Sequence, residues 1–296
     1  MHLNLNYKII MHLSLSDSYM ILLMTSNIRN VAILTKNHTL VATESKEYIT
    51  KLLIEKNIEV YPIPPFEISD FPTLQYKFGP TLEKIDLIIS IGGDGTTLRA
   101  FRFYPSNVPV FSINVGGTRG ILSEIKIDAI AESINMIIEG NFFYDERIRI
   151  QVSYLDKLFP PALNDVLLFR SDLTRTPSIT ITYRGDKIIQ RMDGLLISTP
   201  TGSTGHSISL GGPIVHEESD CLTINPIAPI NKLPQLVVPV DEILVSSNYK
   251  LDLIVDGQDR FSIDPDQTIS VKRFPINARF IRLKKRGLRQ IEKLGF

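Results

Sequence analysis

The stretch IISIGGDGTTLRA, residues 88–100, decides the first half of the fold. An apolar run ends in three glycines that surround Asp94, and a helical pattern begins at Thr96. A strand that enters a helix through glycines presents free backbone amides, which suit a phosphate. A carboxylate beside a polyanion is repulsive unless it binds magnesium or takes a proton, and either role indicates phosphoryl transfer. A tight turn with Asp94 as the helix cap explains the same residues without any function.

Outward from this stretch, strand and helix patterns alternate. Before residues 88–100, apolar spacing predicts a strand at 29–36, a helix within 44–57 and a strand at 58–64. After them, it predicts a strand at 108–116 and a helix at 127–140. The β-α-β order predicts a parallel sheet with right-handed crossovers. The first half is therefore expected to be a Rossmann-like α/β domain.

After residue 140 the apolar pattern changes to period two, which predicts an antiparallel β-sandwich. A chain of 296 residues suits two domains. We expect an extension at 1–29 that is either disordered or a misassigned start, an α/β domain at 30–126 and an antiparallel β domain at 127–274. The basic stretch 279–296 predicts a strand followed by a solvated helix face. The strands predicted in the second half are 146–154, 165–170, 178–185, 187–198, 242–248, 251–257 and 268–274.

The composition argues against two classes of partner. The chain has 32 Lys and Arg against 32 Asp and Glu, which argues against a nucleic-acid binder held by bulk charge. Its apolar runs stay below the roughly 18 residues that cross a bilayer, so no membrane partner is expected.

The single cysteine, Cys221, excludes an intramolecular disulfide and a cysteine-based zinc site. The start of the chain resembles a signal peptide only faintly, because polar residues interrupt each apolar run and no small-residue cleavage site follows, so we expect a cytoplasmic protein.

Two further stretches carry polar side chains at strand ends. In RMDGLLISTPTGSTGHSISLGGPIV, residues 191–215, a strand ends at Ser198 and a cluster of Thr, Pro, Gly and Ser follows. Its hydroxyls and amides can bind a nucleotide base or a phosphate, although an ordinary Ser/Thr turn has the same composition. In LNDVLLF, Asn164 and Asp165 open another strand. An amide beside a carboxylate suits a ribose diol, and an Asx turn explains the pair equally well.

In order and spacing, these motifs resemble the NAD kinase family. The resemblance extends over roughly residues 30–296, and TPTGST is its distinctive part. GGDGT alone is shared with 6-phosphofructokinases and with diacylglycerol and sphingosine kinases. The matching segments are GGDGT at 92–96, ND at 164–165, DG at 193–194, STPTGST at 198–204 and GGPIV at 211–215.

The resemblance implies an enzyme that phosphorylates NAD to NADP, with ATP or polyphosphate as donor and with Mg²⁺. It implies that Asp94 is the general base at the 2′-hydroxyl of the adenosine ribose. It also implies a homodimer or homotetramer, and a C-terminal segment, 275–296, that packs back on the first domain. No protein metal ligand is expected. The substrate-binding residues that it implies are Gly92, Gly93, Gly95, Thr96, Asn164, Asp165, Arg191, Asp193, Thr199, Thr201, Ser203, Thr204 and His206.

Some positions depart from the family pattern or carry a more specific expectation. Asp165 is one methylene shorter than the usual glutamate, and His206 stands where a tyrosine packs on the dinucleotide. Imidazole still stacks, but its contact becomes pH-dependent. Arg191 matches a position associated with preference for NAD over NADH, and Asp193 matches a carboxylate that faces the nicotinamide half, in some members across a subunit interface. Arg119, in a second glycine turn, either pairs with a phosphate or lies on the surface.

Two other functions stay open at this point. A lipid kinase of the diacylglycerol or sphingoid type shares GGDGT, but it should lack STPTGST. A sensor that binds the dinucleotide without turnover is the alternative outside enzymes, and the intact Asp94 argues against it. The sequence contains neither a P-loop motif nor a complete Gly-x-Gly-x-x-Gly fingerprint. The five histidines are too scattered for a zinc pattern.

Overall fold

The computed structural model describes residues 28–36, 39–63, 84–103, 107–116 and 120–295. Within these residues the helices are α1 (Leu40–Ile54), α2 (Asp94–Phe103), α3 (Ile130–Ile138), α4 (His206–Ser209) and α5 (Arg289–Leu294), with 3₁₀ turns at Ile127–Ala129 and Thr201–Thr204. The strands are β1 (Asn30–Thr35), β2 (Glu59–Ile63), β3 (Leu87–Gly92), β4 (Val110–Asn114), β5 (Ile125–Lys126), β6 (Phe143–Arg147), β7 (Ile150–Tyr154), β8 (Lys157–Leu158), β9 (Asp165–Arg170), β10 (Ser178–Tyr183), β11 (Asp186–Arg191), β12 (Gly194–Ser198), β13 (Cys221–Ile227), β14 (Leu236–Pro239), β15 (Ile243–Ser247), β16 (Leu251–Val255), β17 (Asp259–Ile263), β18 (Thr268–Arg273) and β19 (Ala278–Arg282).

The first part of the chain is built on a seven-stranded sheet in the order β2-β1-β3-β4-β19-β6, with β5 paired to β4. Its central pairs are parallel, and β6 is antiparallel to β19. The strands read as continuous apolar runs because both faces are covered. Val31 and Ile33 face the layer of α1 and α3, whereas Ala32 and Leu34 face α2.

The second part is a sandwich of two six-stranded antiparallel sheets, β11-β10-β15-β18-β7-β8 and β14-β13-β12-β9-β16-β17. Alternate residues of each strand point inward and form one core, for example Ile179 and Ile181 from the first sheet and Val166 and Leu168 from the second. Period-two alternation in the sequence arises from this one-sided burial. The architecture confirms the predicted fold class, an α/β domain followed by an antiparallel β domain.

Two elements that follow residue 126 pack with the first sheet. Helix α3 packs against the first sheet through Ile130, Ile134 and Ile137, and β6 is a strand of that sheet. The single strand predicted at 146–154 is therefore two strands in two sheets. Arg149 lies at this change of sheet, where it is fully buried and donates to the carbonyls of Phe101 and Ile276.

The single strand predicted at 187–198 is also two strands, because β11 and β12 belong to different sheets of the sandwich. Strands β13, β14 and β17 are not among the predicted strands. Strand β19 returns the chain to the first sheet, between β4 and β6. Apart from residues 28 and 29, the predicted extension at 1–29 lies outside the described residues. In the part of the chain that the structure describes, no helix is both long and apolar enough to cross a bilayer.

Candidate active site

The GGDGT turn places Asp94 as the first residue of α2, directly after β3. Its carboxylate does not cap its own helix. One oxygen accepts a hydrogen bond from the Ile121 amide at 3.1 Å, and the other accepts one from the Leu122 amide at 2.9 Å. The interpretation of Asp94 as a simple helix cap is therefore wrong, because the carboxylate joins two separate segments of backbone.

The glycines of this turn allow close packing and leave amides unpaired. A Cβ on Gly92 would lie 2.2 Å from the hydroxyl oxygen of Thr96, which packs over it. The amides of Thr96 and Thr97 both donate to the Gly93 carbonyl. The amides of Asp94 and Gly95 precede these, and such first-turn amides have no partner within their helix. The turn thus has the geometry of an anion-binding helix N-terminus.

The Asn164–Asp165 pair is held by Asp256, a residue outside all the motifs that the sequence displays. Asp256 is buried, and its carboxylate accepts hydrogen bonds from the amides of Leu163 at 3.1 Å, Asn164 at 2.7 Å and Asp165 at 3.2 Å. Burial raises the pKa of Asp256, while Arg102 and these three amides act to lower it. The signal in the sequence was the polar step VDG at the end of an apolar strand, Leu251–Val255.

Asp165 itself carries a strongly perturbed carboxyl group. Burial, and then the neighbouring charge of Asp256, raise the pKa of Asp165 to about 8. The backbone carbonyl of Asp165 accepts the Asp256 amide at 2.9 Å, so the two residues are fixed side by side. The side-chain carbonyl oxygen of Asn164 is buried without a hydrogen-bond partner among the described residues. The pair thus presents a protonated acid and an unpaired acceptor.

The pKa of Asp165 makes the stability of the protein depend on pH. Because the folded state holds a proton that the unfolded state loses near pH 4, this group contributes stability that declines as the pH rises from about 4 to about 8. Between pH 6 and pH 8 the decline should be on the order of 2 kcal/mol. Chemical denaturation at both pH values should show it, and Asp165→Asn should remove it. Because the charge of Asp256 contributes to the raised pKa of Asp165, the difference between the two proteins reports Asp165 together with its coupling to Asp256. An equal pH dependence in the two proteins would contradict the assignment.

The turn at 198–204 uses most of its hydroxyls internally. Thr199 donates to the Leu163 carbonyl at 2.5 Å and Ser203 to the Pro200 carbonyl at 2.7 Å, while Thr204 donates to the Thr201 carbonyl. Ser203 also accepts from the Val215 amide at 3.0 Å. These hydroxyls therefore stabilise the turn against Leu163 and the GGPIV segment. All three side chains are buried, and their donor protons are used within the protein, so they hold the shape of the turn.

Gly202 is where this turn contacts the Asn164 backbone. A Cβ at residue 202 would lie 2.1 Å from the Asn164 carbonyl oxygen and 2.6 Å from the Ser198 hydroxyl oxygen. We expect Gly202→Ala to lower the free energy of unfolding by about 2 kcal/mol, because backbone on both sides must shift. Gly287→Ala is the matched control, since no heavy atom lies within 4 Å of its Cβ position. Equal unfolding midpoints for the two variants in urea would contradict this packing.

The turn between β16 and β17 connects the Asp94 helix to the Asn164–Asp165 pair. Arg102, near the end of α2, forms a buried ion pair with Asp259 at 2.5 Å and a hydrogen bond with the side-chain oxygen of Gln258. The side-chain nitrogen of Gln258 donates to the Gly95 carbonyl at 3.1 Å. Since Asp256 in the same turn holds the 163–165 backbone, one hairpin turn fixes both segments. No motif in the sequence indicates this connection.

The remaining predicted residues lie elsewhere. His206 lines a pocket of about 480 Å³ on the outer face of the second sandwich sheet, together with Phe169, Leu210 and Ile254. Asp193 forms an ion pair at 3.2 Å with Arg170, which lines the same pocket. Arg191 is exposed on β11, and Thr201 is buried in the 198–204 turn. Arg119 lies outside the described residues.

Comparisons with known proteins give a consistent result. The family model of the ATP-NAD kinase N-terminal domain matches residues 31–142, and that of the ATP-NAD kinase C-terminal domain matches residues 163–283. An NAD kinase from Thermococcus sibiricus is 35% identical over 237 residues, covering 78% of this chain and 85% of the relative.

Two solved structures have a similar fold. The crystal structure of an NAD kinase from Archaeoglobus fulgidus in complex with ATP aligns with a TM-score of 0.74 and 26% identity, covering 90% of this chain and 98% of that one. Yeast NADH kinase complexed with NADH aligns with a TM-score of 0.76 over 90% of this chain and 86% of that one; at 22% identity this likeness concerns the fold alone. With both domain models matched in order and a relative of this identity over most of its length, the chain belongs to the NAD kinase family.

Proposed function

We propose that this NAD kinase family member transfers the γ-phosphoryl group of ATP to the 2′-hydroxyl of the adenosine ribose of NAD, with Asp94 as the general base. The observation that carries this proposal is the position of Asp94, at the amide-rich start of α2, with both carboxylate oxygens fixed by backbone amides. A fixed carboxylate within reach of a hydroxyl can orient it and accept its proton as the phosphoryl group transfers. The oxygen lone pairs that the amides leave free would face the ribose.

The glycine turn would bind the phosphates of the nucleotides. Unpaired amides at a helix N-terminus attract anions, and Gly93 and Gly95 add no side chain that would keep a phosphate away. Magnesium would enter as part of the Mg–ATP substrate, because phosphate oxygens supply most ligands of such ions.

Asn164 and Asp165 would bind the adenosine half of NAD. The unpaired side-chain oxygen of Asn164 can accept a hydrogen bond from the adenine amino group or from a ribose hydroxyl. Asp165, protonated at neutral pH, can donate to a ribose oxygen as well as accept. The 198–204 turn would form the wall of this pocket and contribute its shape, which the internal hydrogen bonds of Thr199 and Ser203 hold.

The pocket that contains His206 is the candidate position for the nicotinamide half. Most of its lining side chains are apolar, and two lining arginines form ion pairs, Arg170 with Asp193 and Arg260 with Asp252. An imidazole among apolar side chains offers a stacking surface for a pyridinium ring.

We also expect the enzyme to work in the cytoplasm as a homodimer or homotetramer. Light scattering of the purified protein would measure its oligomeric state.

The test is formation of NADP from NAD and Mg–ATP by the purified protein, detected with an NADP-specific dehydrogenase. A parallel reaction with polyphosphate in place of ATP identifies the donor; the ATP-bound relative favours ATP. Absence of NADP with either donor, while NAD still binds, would favour the dinucleotide sensor. Phosphorylation of diacylglycerol or a sphingoid base in place of NAD would favour the lipid kinase.

A further inference from the structure

We propose that Arg289, in the C-terminal helix α5, is a positioning residue for Asp94 and acts through the backbone loop 120–124. The inference rests on the proposed role of Asp94 as the base. It assigns a kinetic role to a residue near the end of the chain that contacts neither the glycine turn nor the Asn164–Asp165 pair directly.

The Asp94 carboxylate is fixed by the loop 120–124. Its oxygens accept hydrogen bonds from the amides of Ile121 and Leu122, so its position depends on where that loop backbone lies. The loop begins at Gly120, with φ +60, where a Cβ would lie 2.3 Å from the side-chain nitrogen of Asn114. Its end is fixed by the Glu124 amide, which donates to the Ser112 carbonyl at 2.8 Å.

Two buried arginines hold the other side of this loop. Arg282 donates to the Leu122 carbonyl at 2.9 Å, and Arg289 donates to the Ser123 carbonyl at 3.5 Å. Both guanidinium groups also bind the buried carboxylate of Glu124. Glu124 in turn accepts the Leu283 amide at 2.9 Å. The loop that binds Asp94 is therefore fixed between the glycine turn and the C-terminal segment.

Arg289 is the more informative of the two arginines. Arg282 also pairs with Asp145, which binds Arg147, so its removal would disturb a larger charge network. Burial, and then the nearby charge of Arg289, lower the pKa of Arg282 to about 10. The side-chain hydrogen bonds of Arg289 are to Glu124, which it shares with Arg282, and to the Ser123 carbonyl, so both of these partners lie in the loop.

Gln290, the residue after Arg289, contacts another segment of the proposed site, the 198–204 turn. Gln290 is buried, and its side-chain nitrogen donates to the Pro200 carbonyl at 3.5 Å. Two consecutive residues of α5 therefore contact the loop that holds Asp94 and the 198–204 turn. This arrangement fixes the position of the proposed base relative to the 198–204 turn. Such precision matters for the rate, because displacing a reacting group by about 1 Å can lower the rate on the order of 100-fold.

The experiment compares Arg289→Ala with Arg286→Ala, an exposed position in the same segment that pairs with Glu292. We expect Arg289→Ala to lower kcat by about tenfold or more with KM for NAD and ATP changed less than about threefold, because the effect falls on the base and not on substrate binding. Arg286→Ala should leave kcat unchanged. Arg289→Lys, which keeps the charge without the two-pronged contact, should give an intermediate kcat; it becomes the test variant if Arg289→Ala does not fold.

A double-mutant cycle with Asp94→Asn separates positioning from general loosening of the fold. If Arg289 acts through Asp94, its replacement should cost little further activity once the carboxylate is gone. An undiminished loss in the Asp94→Asn background would overturn the inference, as would wild-type kcat in Arg289→Ala. Full turnover by Asp94→Asn alone would instead overturn the proposed role of Asp94, and this inference with it.

Discussion

Replacing Asp94 with asparagine is expected to lower kcat for NADP formation by on the order of 100-fold or more, while NAD binding is largely kept. The amide is similar in size but cannot accept the proton of the attacking hydroxyl. Only one of its two polar atoms can accept a hydrogen bond, so the amide of Ile121 or Leu122 would face an NH₂ group. The measurement is steady-state kinetics with a coupled NADP-specific assay, beside calorimetric titration with NAD.

Asp86 offers a matched control for the structural part of this change. One of its carboxylate oxygens accepts hydrogen bonds from the amides of Arg29 and Asn30, both at 2.9 Å, at the opposite end of β3 from Asp94. Asp86→Asn keeps one oxygen that can accept from both amides and removes only the charge of a carboxylate bound by backbone, so it should leave kcat unchanged. Unchanged turnover in Asp94→Asn would exclude Asp94 as the base, and equal losses in both variants would attribute the effect to destabilisation.

Replacing Asp256 with alanine should cause a large loss of stability. The buried amides of Leu163 and Asp165 and the half-buried amide of Asn164 would lose their acceptor. A buried donor left unpaired costs about 1–3 kcal/mol, so the free energy of unfolding should fall by about 3 kcal/mol or more. Asp256→Asn should lose less, because its one remaining oxygen can still accept from Asn164 and Asp165.

The measurement is urea unfolding at a fixed pH, with Asp264→Ala as the control. Asp264 is an exposed carboxylate 4.0 Å from Lys250, and surface pairs of this kind contribute about 0–1 kcal/mol. Asp256→Ala should also weaken NAD binding, because Asn164 and Asp165 lose their fixed positions. A loss no greater than that of Asp264→Ala would contradict the structural role of Asp256.

The sequence predicted the strands whose side chains are buried in a regular pattern, either continuous or alternating. Strands β1 and β3 are covered on both faces and read as continuous apolar runs, and the sandwich strands alternate because one face is buried. It did not predict where the chain changes sheets. The stretches 146–154 and 187–198 keep an unbroken strand pattern, although each divides between two sheets, because alternation records burial and not the identity of the partner strand.

The same distinction holds for the site. The motifs GGDGT, ND and STPTGST predict which segments form the candidate site, since glycines, paired amide and carboxylate groups and clustered hydroxyls are recognisable from residue type alone. The hydrogen bonds that hold Asp94 come from the backbone amides of Ile121 and Leu122, and backbone amides leave no signal in side-chain composition. The internal use of the Thr199 and Ser203 hydroxyls was likewise invisible, because a free hydroxyl and a bonded one are the same residue.

By itself, the sequence determined the two-part architecture, the family resemblance and the chemical groups available for phosphoryl transfer, because these depend on local pattern and residue type. The tertiary structure alone decided how those groups are held. The hairpin turn with Asp256 and Asp259, and the buried arginines of the C-terminal segment, act on residues more than 90 positions away in the chain. Contacts at such separations form only when packing brings the segments together, and burial then gives Asp165 a pKa of about 8, far above that of a carboxyl group in water.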